Sequence, residues 1–85
     1  MSDRSITIQL HAALRDAANA RTIEVTIADG ATPQDAFRAA IGWCPALGAW
    51  CDVVAFGTDE RLLAAERPIP ADVVEIHALP PVSGG

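Results

Sequence analysis

Thr22-Ile23-Glu24-Val25-Thr26-Ile27-Ala28-Asp29-Gly30-Ala31-Thr32-Pro33-Gln34-Asp35-Ala36-Phe37-Arg38-Ala39-Ala40-Ile41-Gly42 changes its apolar spacing from two to helical across a single turn. In the first seven residues Ile23, Val25 and Ile27 alternate with polar neighbours, the pattern of a half-buried strand. Asp29-Gly30 is a turn signal. Thr32 then reads as a helix N-cap, Pro33 as the first helical residue, and Asp35 as an acid facing the positive end of the helix dipole. Ala36, Phe37, Ala40 and Ile41 make one apolar stripe, so the spacing predicts a helix over Thr32 to Ile41. Gly42 is the expected stop, and Pro45 forbids continuation.

Upstream, Ser5 to His11 alternates strictly, with Ile6, Ile8 and Leu10 on one side and Thr7, Gln9 and His11 on the other. Ala12 to Arg21 is an alanine-rich connection with Asn19 available for a turn, and a short helical turn fits it. Two similar strands in succession predict an antiparallel hairpin. Downstream, Trp50 to Phe56 reads as a strand whose continuous Val53, Val54, Ala55 and Phe56 suit a central position. Gly57-Thr58-Asp59-Glu60 is a turn, Arg61 to Ala65 a short edge segment, and Pro68 and Pro70 break the chain before a last strand, Val73 to Leu79. There Val74, Ile76 and Ala78 share one face, and Glu75, His77 and Leu79 the other. Strand, strand, helix, strand, short strand, strand is an α+β order: a roll in which a mixed sheet is packed on one side by one principal helix.

Composition narrows the function. The 85 residues form one domain, which buries about 60–65% of its unfolded surface. At 51% hydrophobic and 20% charged, the chain is too apolar for disorder and too interrupted by charge for a membrane span. A net charge of −5 argues against nucleic acid and anionic membranes as partners and favours a basic one. The amino end has no apolar core of an export signal, so a cytoplasmic location is expected. All six basic residues are arginine, which leaves no side-chain amine for the chain to be acylated by its own kind.

Internal chemistry is sparse. No nucleophile elbow, phosphate-binding glycine loop or His-x-x-x-His is present, and no metal site is expected. Cys44 and Cys51 match neither a redox pair nor a zinc knuckle and read as buried or half-buried thiols. His11 and His77, each without an identifiable partner, read as surface or rim histidines, with His77 near enough to the tail to touch a receiving enzyme. Trp43 and Trp50 are expected to cover the small core, with a partner contact as the alternative.

The chemistry is concentrated in Leu79-Pro80-Pro81-Val82-Ser83-Gly84-Gly85. Two glycines without Cβ slide through a channel too narrow for side chains. The prolines fix φ and bias Leu79 and Pro80 towards extended angles, a stiff lead-in. Residues 1–81 are therefore expected to be the folded domain and 82–85 a mobile tail whose terminal carboxyl is the reactive group. The competing reading is an inert flexible end.

Glu75 to Gly85 resembles the end of the small, ubiquitin-like subunit of molybdopterin synthase. The likeness extends more weakly over the N-terminal strand, Arg15-Asp16, the Thr-Pro-started helix and the Ala64 to Ile69 stretch. It implies a ubiquitin-like β-grasp roll and a sulfur carrier that is not an enzyme on its own and binds no cofactor. An adenylating partner similar to ubiquitin-activating enzymes would use ATP to activate Gly85, and a sulfur donor would convert the adenylate to a thiocarboxylate. The large subunit of molybdopterin synthase would receive the tail and pass its sulfur to a pterin. Gly84 and Gly85 match the family's terminal pair, Pro80 and Pro81 its lead-in, and Val82 its anchoring side chain. Leu79, Ser83 and His77 would complete the partner contact. The chain departs from the family where a Gly-Asp-Glu turn usually precedes the last strand. Val73-Val74-Glu75 stands there, so the turn is expected at Pro70-Ala71-Asp72. Gly57 also replaces an expected Asn. These departures leave open a carrier for another pathway (thiazole, cysteine or a specialised metabolite) and a protein modifier joined to lysines.

Overall fold

The computed structural model describes residues 3–81. The first strand, β1 (Asp3–Leu10), buries Ile6, Ile8 and Leu10. It is followed by a real helix, α1 (Ala13–Ala18), which sinks Leu14 completely. Asn19 ends α1 in the left-handed region at φ 52°, its N–H donating to the Arg15 and Asp16 carbonyls, a conformation asparagine tolerates better than most residues. Strand β2 (Thr22–Ala28) returns antiparallel to β1, with Ile6 opposite Val25 and Ile8 opposite Ile23. This register keeps both apolar sets on one face, and a slip of one residue would expose them all.

Helix α2 spans Pro33–Trp43. Its start is a reciprocal capping box: the Asp35 N–H donates to Thr32 Oγ1 at 3.1 Å, and the Thr32 N–H donates to Asp35 Oδ2 at 3.1 Å. Two donors without helical partners are thereby satisfied. Pro33, Ala36, Phe37 and Ala40 face the core. The helix runs through Gly42, against the sequence reading, because it is Pro45 that forces the stop. The Cys44 N–H still reaches the Ala40 carbonyl at 2.9 Å.

The strand expected over Trp50 to Phe56 is a second correction. Pro45–Trp50 is a 3-10 helix, and the N–H groups of Val53 and Val54 turn back to the Trp50 carbonyl. Only Ala55–Gly57 forms strand β3. Successive tight turns let Leu47 and Val54 enter the core while Val53 stays exposed. An apolar run does not distinguish that arrangement from a buried strand. Strand β4 is the two residues Leu62–Leu63 at the sheet edge, joined to β3 by a hairpin in which the Thr58 N–H donates to the Arg61 carbonyl at 2.7 Å. A Cβ at Gly57 would lie 3.1 Å from that same carbonyl. Glycine here therefore permits the close approach of the two strands.

Strand β5 (Glu75–Leu79) begins later than the sequence suggests. The turn falls at Pro70-Ala71-Asp72 as expected, with the Val73 N–H on the Pro70 carbonyl at 3.0 Å. Val74 is 69% exposed and does not join Ile76 and Ala78 inside. Arg4 holds this approach: its Nη1 donates to the carbonyls of Ala71 (2.8 Å) and Val73 (3.3 Å), and its Nη2 to those of Ile69 (2.9 Å) and Pro70 (3.1 Å). The strand order is β2-β1-β5-β3-β4, with β5 parallel to β1 and antiparallel to β3. One face packs on α2, where the Phe37 and Phe56 rings meet edge to face at 5.9 Å. Among the described residues no helix is long and apolar enough to cross a membrane.

Candidate functional site

The tail grows from the strand between β1 and β3. Ile76 and Ala78 are completely buried, and Leu79 pairs with Ala55 at the last rung of the sheet. Pro80 and Pro81 have no N–H to extend the ladder, so pairing ends where the stiff lead-in begins. Pro80 is half-buried and Pro81 exposed. Val82, Ser83, Gly84 and Gly85, which carry the expected chemistry, lie outside the described residues.

At the root of the tail the outer sheet face carries an unexpected side-chain chain. His77 sits on β5 with Gln9 of β1 on one flank and Gly57 of β3 on the other. Its Nδ1 is 2.8 Å from His11 Nε2, and its Nε2 is 2.7 Å from Asp59 Oδ1. A carboxylate only accepts, so the His77 Nε2–H donates to Asp59. A neutral His77 then accepts at Nδ1 from the His11 Nε2–H, which assigns both tautomers by elimination. The reading of two unpartnered histidines is corrected: they form one network. The His77 side chain is 18% exposed and Asp59 82%, so a largely buried ring meets an exposed acid. Glu75, two residues before His77, shares its face, and the ligand-capable atoms of Asp59, Glu75 and His77 all lie within 4.8 Å of one another. The sequence placed His11, Glu75 and His77 on polar faces correctly. Their convergence required the parallel β1–β5 pairing and the inward fold of the 57–60 turn, which no local pattern carries.

The other candidates fall elsewhere. Cys44 and Cys51 are free and half-buried, as their residue type suggested, and Gln34 Nε2 donates to the Cys51 carbonyl at 2.9 Å and to its Sγ at 3.1 Å. Trp50 packs partly against the core, whereas Trp43 is 77% exposed and covers nothing. The helix continues one residue past Gly42 and turns Trp43 to the outside.

A mixed five-stranded sheet holding one principal helix, with β1 and β5 parallel neighbours, is the ubiquitin-like β-grasp fold. No protein-family model and no curated protein matches the chain. Among solved structures, small archaeal modifier protein 1 of Haloferax volcanii is 30% identical, with a TM-score of 0.80 over 96% of this chain and 100% of that one. A second structure of the Haloferax volcanii protein gives 27% identity and 0.78 over 92% and 98%. The counterpart from Methanosarcina acetivorans shares the fold, with 22% identity and 0.77 over 100% of both chains. The chain belongs to the small archaeal modifier protein family.

Proposed function

We propose that this protein is a sulfur carrier whose Gly85 carboxyl is activated by a partner and leaves it as a thiocarboxylate, supplying sulfur to a pterin precursor of molybdopterin. A carboxylate is a poor electrophile. In the first step one carboxylate oxygen attacks the α-phosphorus of ATP on an adenylating enzyme, and pyrophosphate departs. A persulfide donor then attacks the acyl carbon through its terminal sulfur and AMP departs; a second thiolate attacks the donor's inner sulfur, the S–S bond breaks, the donor leaves as a disulfide, and C–S stands where C–O stood. The thiocarboxylate sulfur, anionic at neutral pH, is the nucleophile in the next transfer, as a thiolate is beside a thiol. The large subunit of molybdopterin synthase would receive Val82, Ser83, Gly84 and Gly85. Leu79, Pro80, Pro81 and His77 would set the angle of entry. The protein is then half of an enzyme, working in the cytoplasm, where ATP is available and thiols stay reduced.

The supporting observation is that β5, the strand that precedes the diglycine segment in the sequence, is paired on both sides. Such a strand gives a partner's channel a rigid reference only a few residues from the reacting carbon, and orientation of that kind is a large part of catalysis. A second reading is favoured by the designation of the Haloferax volcanii relatives as modifiers. In it a lysine ε-amine of a target attacks the activated Gly85 carbonyl and forms an amide. Intact-mass analysis of the protein from its own cells separates the two. Exchange of one oxygen for sulfur at Gly85 marks the carrier, and branched conjugates mark the modifier. Neither signal would leave the tail inert and end the proposal. Loss of active molybdoenzymes in cells lacking the gene is expected. A thiamine or cysteine requirement in its place would move the carrier to another pathway.

A further inference from the structure

The mixed nitrogen and oxygen donors of Asp59, Glu75 and His77 take no part in the acyl steps at Gly85, although His77 also borders the proposed partner contact. We propose that they form a binding site for a divalent first-row metal ion of the zinc type, at the root of the tail. The donor set decides the class. One imidazole nitrogen with two carboxylates suits zinc and its neighbours, whereas magnesium and calcium call for oxygen alone.

Three features go beyond a chance meeting of surface acids. Glu75 and His77 stand two apart on one face of β5, a strand paired on both sides, so two of the three ligands are fixed by the sheet. His77 is oriented from behind by His11, whose Nε2 lies 2.8 Å from its Nδ1. That is the contact which turns a metal-binding imidazole towards its ion. The third ligand, Asp59, is the exposed one and has room to rotate as the ion enters between it and His77 Nε2. The three residues share a cleft of about 340 Å³ whose wall also carries Glu60 and Asp72, with Arg61 as the one guanidinium among the described lining residues. Around the site four carboxylates face one guanidinium, a field that favours a cation.

Binding also accounts for its proton. In the free network the His77 Nε2–H donates to Asp59. On metal binding Nε2 must be bare, so His77 takes the other tautomer and its Nδ1–H donates to His11 Nε2. His11 gives up its Nε2 proton and carries one on Nδ1 instead. When both rings start neutral, each keeps one proton throughout and no net proton is released.

The test uses the untagged full chain with Cys44→Ser and Cys51→Ser, so that no thiol competes. Zn²⁺ is titrated by calorimetry, and Co²⁺ by NMR of the histidine ring protons. One equivalent of Zn²⁺ should bind. Glu75→Gln and Asp59→Asn should each weaken binding at least about tenfold, and His11→Ala should weaken it about 10–100-fold without removing a ligand. A hundredfold excess of Mg²⁺ over Zn²⁺ should leave binding unchanged. With Co²⁺ the His77 ring signals should shift before those of any residue outside the cluster, a readout taken on the unmutated site and independent of how the variants fold. Unchanged affinity in both carboxylate variants, displacement by Mg²⁺, or an unshifted His77 ring would overturn the site.

Discussion

Phe37→Ala tests the packing that holds helix and sheet together. The ring has no exposed surface and meets Phe56 edge to face, with centroids 5.9 Å apart and planes at 67°. Truncating a buried phenylalanine to alanine removes its transfer free energy and leaves a cavity, costing about 3–5 kcal/mol. The lost aromatic pair accounts for about 0.5–1.5 kcal/mol of that. A domain of this length has roughly 4–13 kcal/mol of total stability, so in the middle of that range the variant should retain roughly 40–65% of it. Urea unfolding followed by far-ultraviolet circular dichroism and by fluorescence of the half-buried Trp50 measures the loss. Phe37→Leu, which keeps most of the volume, should lose under about 1.5 kcal/mol and serves where the alanine variant does not fold. A loss below about 1 kcal/mol for Phe37→Ala, the scale of a surface substitution, would refute the assignment of this helix face to the core.

Arg4→Met should cost about 1.5–3 kcal/mol, the scale of one hydrogen bond to a charged group, because water replaces the guanidinium at the exposed Ala71 carbonyl but not fully at Ile69 and Pro70. Denaturation is the measurement, and a loss under about 0.5 kcal/mol would mean that residues 69–73 hold their path without the clamp. Replacing Cys44 and Cys51 together by serine should leave reconstituted sulfur transfer intact, since the transferred sulfur is assigned to Gly85. Vanished transfer in a folded variant would put a thiol in the relay. Deleting Gly85 should abolish transfer while leaving the unfolding midpoint in place, because it withdraws the reactive carbon by about 3.3–3.6 Å, where about 1 Å already costs on the order of a hundredfold. Retained transfer in the deleted chain would sink the terminal-carboxyl mechanism.

What could be read in advance was whatever a local pattern encodes. The strand Thr22–Ala28 and the capped start of α2 follow from spacing, from Thr32 and Asp35, whose side chains bond backbone three residues away, and from Pro33, whose ring presets its own φ. Segments that depend on distant partners were less legible. The apolar residues 50–56 have no period to separate a strand from a run of tight turns, and the short β3 is a strand only because β4 and β5 flank it. Arg4 gave no signal at all, since its four acceptors are backbone carbonyls more than sixty residues away. The histidine network was half legible: alternation put His11 and His77 on polar faces, but their meeting depends on which strands are neighbours.

The topology also explains how so small a body holds together. With roughly 35–40% of its unfolded surface left exposed, the domain has little stability to spare. Its buried apolar side chains are accordingly drawn from nearly every element: Leu14 from α1, Leu47 from the 3-10 helix, and Ile6, Ile76 and Phe56 from three adjacent strands. Among the described residues no charged side chain is buried. His11, Glu75 and His77 lie on the outer sheet face, with Asp59 of the 57–60 turn against His77. Core and chemistry are thereby separated along one strand. Ile76 and Ala78 anchor it inward, Glu75 and His77 present it outward, and Pro80 ends the ladder. Substitutions on the inner face should change stability with little effect on what a partner sees. Substitutions at Glu75, His77, Asp59 or His11 should change what is bound at the root of the tail with little effect on the core.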